Sequence, residues 1–174
     1  MALRTLLLRA LLPLLAVSWI TAAPAAAPCE GIKWDVADVR AVFAGEPLAL
    51  AAGRARDAAP RLESGRLYAL QLVPQEAVSL IAPPAKKTLA DGASAGLARV
   101  RIAQAGRYRV ALDVPFWIDV LAAGQSLPSL DFSGDPACSA PRKIVVYALP
   151  AGEVWLQLSG HAGETVRLSV TAAP

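Results

Sequence analysis

Three stretches in the C-terminal part of this chain alternate strictly between apolar and polar residues, and they leave few folds open to it. Ala105-Gly106 leads into Arg-Tyr-Arg-Val-Ala-Leu112, and Ala151-Gly152 leads into Glu-Val-Trp-Leu-Gln-Leu158. A two-residue period puts Tyr108, Val110 and Leu112 on one side of the first stretch, and Val154, Leu156 and Leu158 on one side of the second. Val166, Leu168 and Val170 repeat the pattern, with Thr165, Arg167 and Ser169 on the opposite side. Strands with one apolar face must bury it against another layer. Strand character also marks 66–73 up to Pro74, 77–81, 97–103, 117–120 and 144–149, with turn residues between. About eight short strands at this spacing predict an all-β, antiparallel, jelly-roll-like sandwich rather than βαβ units.

The N-terminus reads as an export signal. Arg4 and Arg9 accompany a leucine run, and the apolar segment Ala10–Ile20 is shorter than the roughly 20 residues a membrane span needs. Ala23-Pro24-Ala25 suits signal peptidase, whereas Pro28 disfavours a cut after Ala27. Because Pro28 precedes Cys29 and no leucine stands at the expected place upstream, a lipid anchor fits poorly. Cleavage after residue 25 removes Arg4 and Arg9 and leaves a nearly neutral chain, so the basic pI of 9.1 belongs partly to the leader. No later apolar run is long enough for stable membrane insertion. The expected organisation is a signal peptide (1–25), an N-terminal extension packed on the sandwich (26–64) and the β-sandwich itself (65–174), in the periplasm or secreted.

Export carries Cys29 and Cys138 into an oxidising space, where their pairing is expected. In the chain-entropy model, a bridge closing a loop of about 109 residues contributes roughly 4 to 5 kcal/mol. Two isolated thiols and one histidine make a poor metal site, and no CxxC motif is present. No cofactor is expected.

Elsewhere the signals are weaker. Trp34 to Phe43 reads as a short amphipathic helix, with Trp34, Val39 and Val42 or Phe43 inward, or as an extended segment. Ala55–Pro60 reads as a linker, and Ala85–Gly96, with two lysines and two glycines, as a long exposed loop. Gly124-Gln125 marks a hairpin turn. If Gln104–Gly106 folds one strand back beside the next, Arg99, Arg101, Arg107 and Arg109 share one outer face, joined by Arg142 and Lys143. Such a face suits an anionic polysaccharide or lipid headgroups, or is simply solvated. It has too few interleaved aromatics for nucleic acid, which export also makes an implausible partner.

Trp155 lies between inward Val154 and Leu156, so its indole faces outward with Glu153 and Gln157. An exposed ring with polar neighbours is a sugar-stacking surface; the alternative is that the N-terminal segment covers it. His161 sits in a Ser-Gly-His-Ala-Gly turn with no fixed nucleophile or acid, and reads as an exposed turn residue. Asp113, Asp119, Asp131 and Asp135 are turn-forming residues or, if gathered, oxygen ligands for calcium.

The block Ala105–Leu112, then Trp117-Ile-Asp-Val120, then Leu149-Pro-Ala-Gly-Glu-Val-Trp-Leu-Gln-Leu-Ser-Gly160 resembles the bacterial pre-peptidase C-terminal domain. That resemblance implies a small β-sandwich serving as an accessory or binding module of secreted enzymes. Ala105 to Val110, Trp117 to Val120 and Cys138-Ser-Ala-Pro-Arg-Lys143 resemble more closely a group of small exported proteobacterial proteins of unknown function. A dioxygenase label that some of that group carry fits badly, because a non-haem iron site needs two histidines and a carboxylate, and His161 is the one histidine. The function expected is thus an exported, non-catalytic binding or accessory module of the cell envelope with an envelope protein or glycan as partner. Alternatives are a carbohydrate or anionic-glycan module proper and, less well supported, a hydrolase or dioxygenase-like enzyme.

Overall fold

The computed structural model describes residues 31–86 and 90–174. They form an all-β sandwich with one short helix. Its strands are β1 (Leu48–Ala51), β2 (Arg61–Leu62), β3 (Tyr68–Gln71), β4 (Val73–Pro74), β5 (Ser94–Ile102), β6 (Gly106–Leu112), β7 (Trp117–Ala122), β8 (Gln125–Leu127), β9 (Ser129–Gly134), β10 (Lys143–Leu149), β11 (Gly152–His161) and β12 (Thr165–Ala172). One sheet has the order β1-β3-β12-β6-β10-β9; the other runs β2-β5-β11-β7-β8, with β4 also on β5. Two pairs are parallel, β1 with β3 and β2 with β5, so both sheets are mixed rather than purely antiparallel. These parallel strands are edge strands, and both come from the stretch 26–64.

The inner faces are the ones the alternation marks. Tyr108, Val110, Leu112, Val154, Leu156, Leu158, Val166, Leu168 and Val170 all enter one buried cluster, with Val100, Ile102, Phe116 and Val120. The hairpin expected at Gly124 joins β7 to β8, with Ala123 and Gly124 at φ 49° and 80° and Ala122 paired to Gln125.

The Ala-Gly turns, by contrast, are corners between sheets rather than hairpins. Strand β5 pairs with β11, β2 and β4, while β6 pairs with β10 and β12. Val100 and Tyr108 therefore enter the core from opposite sheets instead of lying side by side. The Tyr108 hydroxyl donates to the Gln104 carbonyl at 2.9 Å and ties the corner. This corrects the four-arginine face: Arg99 and Arg101 project from one sheet, Arg107 and Arg109 from the other.

Each sheet carries a further layer on its outer face. Helix α1 (Ala37–Phe43), started by Asp35 Oδ1 accepting from Ala37 N at 2.9 Å, lies on the β6–β10–β12 face. Val39 and Phe43 pack there with Ile32, Leu67, Ala111, Cys138 and Ile144. Arg109, 6 % exposed, reaches Asp38 of this helix at 3.0 and 3.2 Å. It holds α1 down rather than facing water. On the second sheet a strap formed by 52–59 and 75–82 buries Ala59, Val78, Ala95 and Leu97, with Leu80, Ile81 and Trp155 against them. Where the chain enters this strap, Gly53 exchanges backbone hydrogen bonds with Leu97 along the edge of β5, and on the inter-sheet side a Cβ on Gly96 would lie 2.5 Å from Ala52 Cβ and 2.7 Å from Leu72 Cδ2, so only glycine fits.

Strand β5 therefore begins inside the expected 85–96 loop, with Ser94, Ala95 and Gly96 buried; 87–89 lie outside the described residues. So do the expected signal peptide and Cys29. Cys138 is buried beneath α1's N-terminal approach, where Gly31 N donates to Asp135 Oδ2 at 3.1 Å. That contact brings the chain two residues past Cys29 onto the Cys138 loop. Among the described residues, no helix is long and apolar enough to cross a membrane.

Candidate functional site

The outer face of the second sheet positions Trp155. Strand β11 sets it opposite Arg99 on β5 and Leu121 on β7, and its neighbour Val154 anchors the strand in the core. The indole is half-buried under the strap, and the Arg56 guanidinium stacks over it 4.3 Å from the ring centroid. Of the two alternatives for this ring, cover by the stretch 26–64 holds in part, through Arg56. The ring remains in the wall of an open cleft of about 550 Å³ together with Arg56, Asp57, Ser79, Leu80, Ile81 and Arg99.

The cleft is rich in donors. Trp155 Nε1 and Arg99 Nε are buried without an acceptor among the described residues. Glu153 accepts from Arg61 at 3.1 Å and lies 3.5 Å from Arg99, which leaves Arg56 and exposed Arg101 without an ion-pair partner among the described residues. Arg99 and Arg101 are thus joined by Arg56 and Arg61, which the sequence pattern does not mark. Arg61 becomes legible only through the parallel pairing of β2 with β5, which sets it opposite Arg99. Arg56 sits in a small-residue stretch that reads as linker, with nothing in its neighbours to mark the ring it covers.

The remaining sequence candidates lie elsewhere. Arg107 is exposed on the first sheet, and Arg109 is committed to Asp38. Arg142 and Lys143 stand at the start of β10, where Lys143 Nζ donates to the Phe116 carbonyl at 2.9 Å and lies 5.3 Å from the Trp117 ring centroid. The Trp117-Ile-Asp-Val and Cys138-to-Lys143 elements are therefore in contact.

His161 ends β11 and is half-buried, its ring edge-to-face with Phe116 at 5.0 Å, rather than an exposed turn residue. Burial holds its pKa below the ordinary value, and Arg142 and Lys86 push the same way. The four aspartates do not converge. Asp113 takes Arg167, Asp119 the Trp117 indole N–H at 2.9 Å, Asp131 pairs with Lys33, and Asp135 caps its own loop through Ala137 N. Among the described residues no three His, Cys, Asp or Glu side chains gather at one point.

Neither the protein-family models nor the curated proteins contain a match to this chain.

Proposed function

We propose that this protein is an exported, non-catalytic binding module of the cell envelope, and that its ligand is an anionic glycan seated in the Trp155 cleft. The observation that carries this reading is the stacking of a guanidinium on an indole, beside a second arginine, in an open groove on a sheet face. The part of the Trp155 ring that walls the cleft beside the covering guanidinium offers a sugar an apolar contact, and the sugar's carboxylate or sulfate answers Arg56 and Arg99. Arg56 has no ion-pair partner among the described residues, so a glycan carboxylate or sulfate in the cleft brings the counter-charge it lacks.

The test is affinity electrophoresis and calorimetry of the mature chain against polygalacturonate, with neutral dextran as control. Binding should weaken as salt rises and fall about tenfold in Trp155→Ala and in Arg56→Ala, the loss of one stack or one charge-assisted contact. Both variants should keep the wild-type circular dichroism spectrum. Equal binding to both polymers, or affinity unchanged in Trp155→Ala, would refute the assignment.

A further inference from the structure

The sandwich does not close along its β8–β9 side. Strand β9 is the edge of one sheet and three-residue β8 the edge of the other. Phe132 on β9 pairs with Val145 on β10, and Val145 belongs to the inter-sheet core, so Phe132 projects on the core side of its sheet. Yet it is 67 % exposed, because no side chain of the short β8 reaches across to cover it. Behind it lies a cavity of about 200 Å³, lined by Trp117 and Ile118 of β7 and by Phe132, Lys143, Val145 and Tyr147 of β9 and β10. A second depression of about 280 Å³ adjoins it, sharing Phe132 and Lys143 and adding Arg142 and Asp135.

Two cations thus flank an apolar slot. Neither Lys143 nor Arg142 forms an ion pair among the described residues. One Lys143 proton is spent on the Phe116 carbonyl, which leaves two donors. Asp135 uses its carboxylate oxygens on the backbone N–H groups of Gly31 and Ala137. Tyr147 is fixed by donating its hydroxyl to the Ile118 carbonyl at 3.0 Å, so the far wall is rigid and offers its ring.

We propose that this mouth is a second binding site, for a small organic carboxylate whose apolar or aromatic body lies between Phe132, Trp117 and Tyr147 and whose carboxylate meets Lys143. Charge complementarity selects the anion, since a desolvated ammonium gains most from a partner it now lacks. Burial lowers the Lys143 pKa, with Lys86 pressing in the same direction and Asp119 opposing it, as expected of an ammonium short of counter-charge. Size selects a small ligand: the slot is below the roughly 300–1,000 Å³ of sites for drug-sized molecules. The site shares no lining residue with the Trp155 cleft, and each stands without the other.

Titrating ¹⁵N-labelled mature protein with phenylacetate, phenylacetamide and phenethylamine tests it. Phenylacetate should shift the Trp117 indole and the amides of Phe132 and Lys143, and the amide and amine should bind at least about tenfold more weakly. Lys143→Met should erase the preference for the acid over the amide. Phe132→Ser, at an exposed position that cannot unfold the core, should weaken binding of acid and amide alike. Equal binding of acid and amide to the wild type, shifts confined to the Trp155 cleft, or no shift with the acid would overturn the proposal.

Discussion

Replacing Gln157 by Leu should peel the strap from the second sheet while leaving the sandwich folded. Gln157 is fully buried although it faces away from the inter-sheet core. Its Oε1 accepts from Ile81 N at 2.8 Å and Ala82 N at 3.3 Å, and its Nε2 donates to the Ala82 carbonyl at 2.9 Å. One amide thus satisfies three backbone groups of the strap, and leucine, nearly the same size, satisfies none. Left buried, such groups cost about 1–3 kcal/mol each, but Ile81 and Ala82 are near enough to the surface to reach water if the strap lifts. The net loss should then approach three ordinary hydrogen bonds, about 3 kcal/mol, or roughly 6–12 °C in Tm for a chain of this size. Hydrogen exchange should locate it: amides of 78–86 lose protection, whereas those of β11 and β7 keep theirs. Because Leu80 and Ile81 wall the Trp155 cleft, polygalacturonate binding should fall in the same variant. A Tm within about 2 °C of wild type with unchanged exchange at 78–86 (about half a hydrogen bond's worth) would show that the clamp carries no weight.

Two further outcomes follow from the same geometry. His161 has its pKa lowered below 6.5 by burial, so as pH falls the unfolded chain takes up a proton before the folded one does. Stability should be full above pH 6.5 and decline as pH drops from there toward the lowered folded value; urea titrations of His161→Gln should flatten that decline, and identical slopes would contradict it. Cys29 and Cys138 should appear as one linked peptide in a non-reducing digest, with Cys138→Ser costing about 2–5 kcal/mol; two free thiols in the unfolded, unreduced protein would exclude the bridge.

What is legible in the sequence follows from what a two-residue period records. It assigns side chains to one of two faces, so alternation alone places Tyr108, Leu156, Val166, Leu168 and Val170 in the core, where the structure has them. It does not record which sheet the next strand joins, and the Arg99–Arg109 face fails on that point: a corner and a hairpin share the same Ala-Gly turn. Nor does it record what lies over the second face. Gln157, Ser159, Ser169 and Arg109 alternate as solvent-facing residues would, yet all four are buried, because helix α1 and the strap supply third and fourth layers.

Phe132 shows the converse. The stretch 130–140, with Asp131, Gly134, Asp135 and Pro136, reads as a loop, yet its first part is strand β9, whose pairing with β10 puts Phe132 on the inward face; the short β8 opposite leaves it in water. An apolar residue on the correct face but uncovered costs stability, about 25 cal/mol for each Å² left wet. Leu130, 52 % exposed two residues earlier on the same edge strand, adds to that cost. A fold that could close by lengthening β8 by a residue pair, and instead leaves a slot with Lys143 in its lining, keeps open the kind of space a ligand fills. Lengthening β8 with an apolar pair should therefore raise Tm while abolishing phenylacetate binding, whereas a mouth that is mere packing slack would show only the first effect.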